Sequence, residues 1–423
     1  MRVSTLAPFK QSSSGTLLSG LARKTLFACL QNISRGRLII EEDGIETAFG
    51  NSSADARVAK IIVRDPRAYA MTLKSGDLGA GEAYMLGYWY SPELLNVIQI
   101  FVSNMRQLEA INGTRSWWRS VADFVFHWMR NNSLSQARKN IAAHYDLSND
   151  FFKLFLDETM AYSAGIFQHD EQSLQQASLQ KFRHICERLQ LNESDHLLEI
   201  GTGWGGLAIY AAKHYGCRVT TTTLSQEQYE FAREWVKREG LAERINLLLK
   251  DYRELEGQYD KLVSVEMIEA VGSRYYEQYF RKCNALLKDN GLMLIQAITI
   301  SDQRYQSSVK SIDFIKRYIF PGGQLPCNAV ISRHIAQDTD MQLIGLEDIT
   351  LDYANTLYHW RQRFMNRLEE VRKLGADDIF IRTWEYYLCF CEGGFRERVI
   401  HTGQFLLAKP EFRALPAIKL ADD

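Results

Sequence analysis

Residues 197–207 read Leu-Leu-Glu-Ile-Gly-Thr-Gly-Trp-Gly-Gly-Leu, an apolar strand that ends in a glycine-dense turn before a helix-patterned segment. Gly201, Gly203 and Gly205 can take backbone angles closed to other residues and leave their N–H groups bare, so a nucleotide can lie almost against the main chain. Gly201, Gly203 and Gly206 also match the G-x-G-x-x-G spacing of dinucleotide folds. Such folds want an acidic residue about 20 positions later, at the end of the second strand, to hold the ribose hydroxyls. Here that strand runs into Thr223-Leu224-Ser225-Gln226-Glu227-Gln228. Its one acid, Glu227, falls in the first turn of the next helix, where a carboxylate is expected in any case. Hydroxyls and amides in place of the acid favour S-adenosylmethionine over a dinucleotide, and group transfer over redox chemistry.

The elements around this turn alternate. The pattern predicts a helix from Phe182 to Leu191, strand His196 to Ile200, helix 206–215, strand 218–223 and helix 226–239. Strands 245–249 and 261–265, helix 275–287 and strand 292–298 follow. Such alternation implies a parallel, doubly wound α/β sheet with its ligand at the carboxyl ends of the strands. Upstream, residues 36–65 read as strands with a turn at Asp43-Gly44, and residues 67–110 as helices, together a small α+β domain. The resulting division is an N-terminal domain over 1–114, a linker helix over 115–140, a catalytic domain over 141–410 and a tail over 411–423. Trp117, Val121, Phe124, Val125 and Trp128 share one stripe of the linker, beside Arg115, Arg119, Arg130, Arg138 and Lys139. That helix either packs on the next domain or lies on anionic lipid. The segment from Thr16 to Leu30 reads as a docking helix or an amphipathic surface helix.

Composition narrows the function classes. A chain of 423 residues suggests two domains or three, and a net charge of −1 gives no global case for nucleic acid. Seven cysteines without C-x-x-C pairs suggest neither a zinc site nor a disulfide framework, and a reducing, cytoplasmic compartment. No pair of histidines has metal-ligand spacing on one face. No apolar run reaches the 18 or so residues needed to cross a bilayer, so contact with a membrane is expected only at its surface.

Four segments carry a family resemblance: His144-Tyr-Asp-Leu-Ser-Asn-Asp-Phe-Phe-Lys-Leu-Phe-Leu-Asp with Met160-Ala-Tyr-Ser; the glycine turn with Trp204; Val265-Glu-Met-Ile-Glu-Ala-Val-Gly; and Arg317-Tyr-Ile-Phe-Pro-Gly-Gly-Gln-Leu-Pro with Asp352-Tyr-Ala-Asn-Thr-Leu. In order and spacing the chain resembles the cyclopropane fatty acid synthases, including the mycolic acid cyclopropane synthases, over about 140–410. The resemblance implies a class I S-adenosylmethionine-dependent methyltransferase fold. It also implies transfer of a methylene equivalent to a cis double bond in the acyl chain of an unsaturated phospholipid, giving a cyclopropane. Peripheral attachment at the inner face of the membrane, and a homodimer, come with it as expectations.

Carried over residue by residue, the resemblance puts Tyr162 and Ser163 at the methionine part of the cofactor, and Gly201, Gly203, Trp204 and Gly205 at its backbone. Thr223, Leu224, Ser225 and Gln228 would lie by the ribose, and Asp251, Tyr252 and Arg253 by the adenine. Tyr275, Tyr318 and Phe320 would line the lipid path, among aromatic residues suited to a cationic transition state. In the family a bound bicarbonate takes the final proton, held by a glutamate, a histidine and a tyrosine. Glu269 and Tyr353 match the glutamate and tyrosine, whereas Gln296 stands for the histidine and Ala164 for a cysteine. Glu266 replaces a small residue and adds a carboxylate. The altered set leaves open a cyclopropane with bicarbonate bound, a methyl- or methylene-branched chain formed without ring closure, and a lipid-binding protein with impaired catalysis. A methyltransferase acting on a small polar substrate is a further rival.

Overall fold

A computed structural model describes residues 17–51, 57–111, 148–169 and 171–413. The linker stripe, residues 144–147 of the first family segment and most of the tail lie outside them. The larger sheet has seven strands in the order β10-β11-β9-β8-β5-β6-β7. They are β5 (His196–Ile200), β6 (Arg218–Thr223), β7 (Ile245–Leu249), β8 (Tyr259–Val265), β9 (Leu287–Ile300), β10 (Gln342–Asp348) and β11 (Ile400–Ala408). Strands β5 to β9 run parallel, and β11 is antiparallel to both β9 and β10. Leu197, Leu198 and Ile200 are buried because helices cover both faces of a parallel sheet. Strand order reverses between β5 and β8, so the turn after Ile200 and the turn after Val265 open into one crevice.

The N-terminal part is a four-stranded sheet of β1 (Arg37–Glu42), β2 (Ile45–Gly50), β3 (Val58–Val63) and β4 (Trp89–Tyr90), in the order β2-β1-β3-β4. Asp43 and Gly44, with φ of 51° and 79°, make the two-residue turn that hairpins prefer. Helix α1 (Leu17–Leu30) packs on α2 (Arg67–Met85), with Ala22 and Leu30 buried, so it docks rather than lying free.

The two parts share a core. One apolar cluster runs from Leu38 and Ile40 of β1 through Tyr84 and Ile98 to Trp360, Trp384 and Phe395. Helix α3 (Leu94–Ser103) lies so close to the helix Asp378–Arg396 that a Cβ on Gly393 would sit 2.7 Å from Ile98 Cγ2. Polar clasps reinforce the contact: Tyr84 donates to Glu385 Oε2 at 2.8 Å, and Arg382 Nε donates to the Met85 carbonyl at 2.8 Å. Because each large apolar side chain buried here contributes about 1.5–3 kcal/mol, the N-terminal part buttresses the helices that wall the site.

Gly81 of α2 tests that contact. A Cβ there would lie 2.5 Å from Phe314 and 2.9 Å from Tyr386. Gly81→Val should cost about 1–3 kcal/mol by overpacking, outweighing the gain of under about 1 kcal/mol from leaving glycine's poor helix propensity. Thermal unfolding should show a Tm lower by several degrees; an unchanged Tm would mean that the parts do not share a core.

Candidate active site

The cofactor cradle is made by local geometry. Gly201, Gly203 and Gly205 take φ of 104°, 53° and 97°, and Gly205 opens the helix Gly206–Tyr215. A Cβ on Gly203 would meet no atom within 4 Å, so the turn faces open space. A Cβ on Gly206 would lie 2.5 Å from the Thr159 carbonyl, which is how closely the segment carrying Tyr162 and Ser163 runs over the helix start. The cavity between them is lined by Tyr162, Ser163, Gly201, Gly203 and Trp204, and on its far wall by Thr223, Leu224, Gln228 and Tyr252. Trp204 Nε1 donates to Asn149 Oδ1 at 2.6 Å, and Thr223 Oγ1 donates to Gln228 Oε1 at 2.9 Å.

Four expected cofactor residues stand beside the cavity and are not among its lining. Gly205 backs onto Ala232, while the Ser225 hydroxyl caps the helix Gln226–Arg238. Asp251 accepts from the backbone N–H and the guanidinium of Arg253, in a pair with Asp251 1% exposed.

Two buried ionisable residues that the sequence did not single out also line the cavity. Lys181, 1% exposed, donates to Ser163 Oγ at 2.7 Å. Burial lowers its ammonium to about 8, against the opposing pull of the Glu266, Asp157 and Glu199 carboxylates. Glu199, near the end of β5, accepts from Thr221 Oγ1, and burial pushes its carboxyl up to about 8. A lysine buried in a cavity wall with one hydrogen-bond acceptor is suited to a ligand carboxylate. The open cradle, the hydroxyl and amide wall and this cation fit S-adenosylmethionine.

A second centre lies across the crevice. Gln296, Tyr353 and Ala164 come together there, but around Glu266 rather than Glu269. Glu266 Oε1 accepts from the Ala164 N–H at 2.9 Å and Gln296 Nε2 at 2.8 Å; Oε2 accepts from the Tyr353 hydroxyl at 2.8 Å. Each donor is fixed from behind. Gln404 Nε2 holds Gln296 Oε1 at 2.9 Å, from the residue paired with it across β9 and β11, which turns the Gln296 amide nitrogen towards Glu266. Tyr353 stacks on Phe395 at 4.5 Å. The helix Thr350–Asn366 clamps the loop after Ala164, since Thr356 Oγ1 and Asp352 Oδ1 accept from the N–H groups of Gly165 and Phe167. Burial is the main influence raising the Glu266 carboxyl, and its three donors oppose it.

Glu269 sits one turn further on and is not among the cavity's lining. Its Oε1 accepts from the Ile298 N–H, while Oε2 is buried without a hydrogen-bond partner. Burial first, and then the nearby Glu266 charge, push its carboxyl up to about 8, so it is neutral at pH 7.

Aromatic rings enclose both centres. The Tyr162 ring lies 5.1 Å from Trp360, 5.4 Å from Phe152 and 6.4 Å from Phe320, and its hydroxyl meets that of Tyr387 at 2.9 Å. Of the expected lipid-path residues Phe320 belongs to this shell. Tyr318, 37% exposed, instead donates to Glu82, and Tyr275 lies 5.9 Å from the Arg253 guanidinium on the cofactor side.

The Glu269 shift has a testable sign. Its carboxyl titrates near 4.5 when unfolded and near 8 when folded, so the folded chain keeps a proton that the unfolded chain loses, and this contribution to stability fades as pH rises between those values. Glu269→Gln keeps the neutral form at every pH. Its Tm relative to wild type should therefore rise by about 2 °C or more between pH 5 and pH 8; a difference that stays constant would refute the shift.

Comparison with known proteins follows the same lines. Residues 132–405 match the family model described as mycolic acid cyclopropane synthetase. Tuberculostearic acid methyltransferase UfaA1 of Mycobacterium tuberculosis is 38% identical over 379 residues, 88% of this chain and 87% of its own. Cyclopropane-fatty-acyl-phospholipid synthase of Escherichia coli K12 is 35% identical over 365 residues, 85% of this chain and 89% of its own. Among solved structures, mycolic acid cyclopropane synthase CmaA1 complexed with SAH and CTAB aligns with a TM-score of 0.61 at 28% identity, over 64% of this chain and 98% of that one. With the cradle, the reversed strand order and this match over most of its length, the chain belongs to the mycolic acid cyclopropane synthetase family and is an S-adenosylmethionine-dependent methyltransferase.

Proposed function

We propose that the protein methylates the cis double bond of an unsaturated fatty acyl chain in a phospholipid and releases a methyl- or methylene-branched chain without closing a ring. The observation that carries this reading is the continuity of the cofactor cavity with an aromatic shell. Tyr162 lines the cavity and stands within 6.4 Å, ring to ring, of Trp360, Phe152, Phe155 and Phe320. A polar nucleophile would need none of this, whereas an alkene becomes a carbocation that aromatic faces stabilise and water would destroy.

S-adenosylmethionine supplies a methyl group on a sulfonium, which leaves with its bonding pair on sulfur. The alkene π pair forms the new C–C bond, and the neighbouring carbon becomes cationic. A 1,2-hydride shift moves the charge to the carbon bearing the methyl, and loss of a methyl proton then gives a methylene branch. Two departures support this outcome over ring closure, Gln296 in the histidine position and the carboxylate of Glu266 among the donors expected to hold a diffusible anion, as does 38% identity both to UfaA1 and to a probable fatty acid methyltransferase of Pseudomonas putida. Ring closure, by proton loss before any hydride shift, is the second reading. The Escherichia coli cyclopropane synthase, 35% identical over 85% of the chain, favours it.

Among the described residues no helix is long and apolar enough to cross a membrane, so the proposed substrate is reached from the bilayer surface. For the cofactor, Lys181 through its ammonium, with Ser163, would hold the methionine carboxylate.

Incubation with labelled S-adenosylmethionine and vesicles of monounsaturated phospholipid should put label into the lipid. Mild hydrogenation followed by mass spectrometry separates the products, because a methylene branch takes up hydrogen and a cyclopropane does not; unlabelled lipid would sink the reading. Lys181→Met should raise KM for S-adenosylmethionine about tenfold or more, the scale of a charge-assisted hydrogen bond, with a smaller change in kcat. An unaltered KM would remove Lys181 from the cofactor site.

A further inference from the structure

We propose that the carboxylate of Glu266 is the general base of this site, built into the chain, and that catalysis needs no bound bicarbonate. The inference deepens the acyl-methylation reading and rests on it for the proton to be removed.

The donors expected to grip an external anion are already engaged. Ala164 N–H and Gln296 Nε2 point at Oε1, and the Tyr353 hydroxyl at Oε2, all within 2.9 Å. Two carboxylate oxygens offer about four acceptor positions, so three donors leave one open, on Oε2. Glu266 lines the same cavity as the glycine turn and Tyr162, so its carboxylate borders the space in which the reacting groups would meet.

The backbone shows that this placement is enforced. Glu266 has φ of 50°, a left-handed conformation that residues with a Cβ adopt reluctantly, and its N–H is tied to the Gln296 carbonyl at 2.7 Å. An extended residue at the end of β8 would aim its side chain elsewhere. The donors are also chemically suited to a base. None is cationic, so they orient the carboxylate and lower its basicity by hydrogen bonding alone, against the larger, raising influence of burial. A tethered carboxylate does not depend on capturing a free anion, so it can work with the neutral amide of Gln296 in the histidine position. The surrounding charges are accounted for. Lys181 faces Glu266 from the helix Leu174–Arg188, and the carboxyl of Glu269 on the following turn is raised by burial first and by the Glu266 charge second.

The step balances within the site. A C–H bond of the transferred methyl breaks, its pair forms the C=C bond to the adjacent cationic carbon, and the proton passes to Oε2 of Glu266.

Glu266→Gly tests this, because glycine accepts the same backbone angle and removal of the side chain frees the three donors. Two readouts are needed: NMR of [13C]bicarbonate with each protein, which requires no lipid, and methyl transfer in bicarbonate-free buffer with and without added bicarbonate. Wild type should neither bind bicarbonate nor respond to it. The variant should lose about 100-fold or more in transfer, the scale of general-base catalysis, and should bind bicarbonate and regain at least about tenfold when it is added. Bicarbonate binding by wild type, wild-type activity that falls without it, or a variant as fast as wild type in its absence would each overturn the assignment. Calorimetry with SAH monitors the fold of the variant; should that fold fail, the wild-type arms decide alone. The binding arm judges Glu266 even if phospholipid proves not to be the substrate.

Discussion

The site depends on one buried carboxylate held between three donors drawn from distant parts of the chain. Glu266 follows β8, Gln296 lies on β9, Ala164 precedes the sheet and Tyr353 comes from a helix beyond it. A carboxylate withdrawn from water is tolerable only where donors replace the water it has lost. Moving any of these four segments leaves either an orphaned donor or an unsolvated charge. The requirement therefore ties the glycine-turn crevice, the antiparallel edge of the sheet and the C-terminal helices into one geometry.

Around that centre the structure balances charge. Lys181 lies among Glu266, Glu199 and Asp157, and the same burial that depresses the ammonium raises the Glu199 and Glu269 carboxyls. The rise of the Glu269 carboxyl, from burial first and the neighbouring Glu266 charge second, follows the general rule that close acids in a low-dielectric setting do not both ionise readily.

The N-terminal part acts through packing. Its helices α2 and α3 lie against the helix Asp378–Arg396, which carries Phe395 beneath Tyr353 and Tyr387 against Tyr162. Rigidity at the aromatic wall is in this way inherited from a core that begins at β1. Among the described residues this cluster joins side chains from both sides of residue 114.

Much of the architecture was legible because it is local. Apolar runs and glycine spacing predicted β5, β6 and β7 and the helices between them almost to the residue; β9 instead extends over Leu287–Ile300, because pairing with β11 carries it on to Ile300 and pairing with β8 reaches back to Leu287. The cradle was legible for the same reason, as φ above zero at Gly201, Gly203 and Gly205 is a property of the glycines themselves. The centre was not. Glu266 read as an additional acid beside Glu269, and Gln296 as a lost histidine, because hydrogen bonding across strand order and a left-handed backbone angle have no signature in spacing. Lys181 stayed hidden one residue before a helix expected from Phe182, although the helix begins at Leu174. The sequence by itself determined the elements and the nucleotide turn, since those follow from the preferences of neighbouring residues. Only the tertiary structure decided which carboxylate the donors surround, since that depends on the reversal between β5 and β8 and on helices about a hundred residues further along the chain.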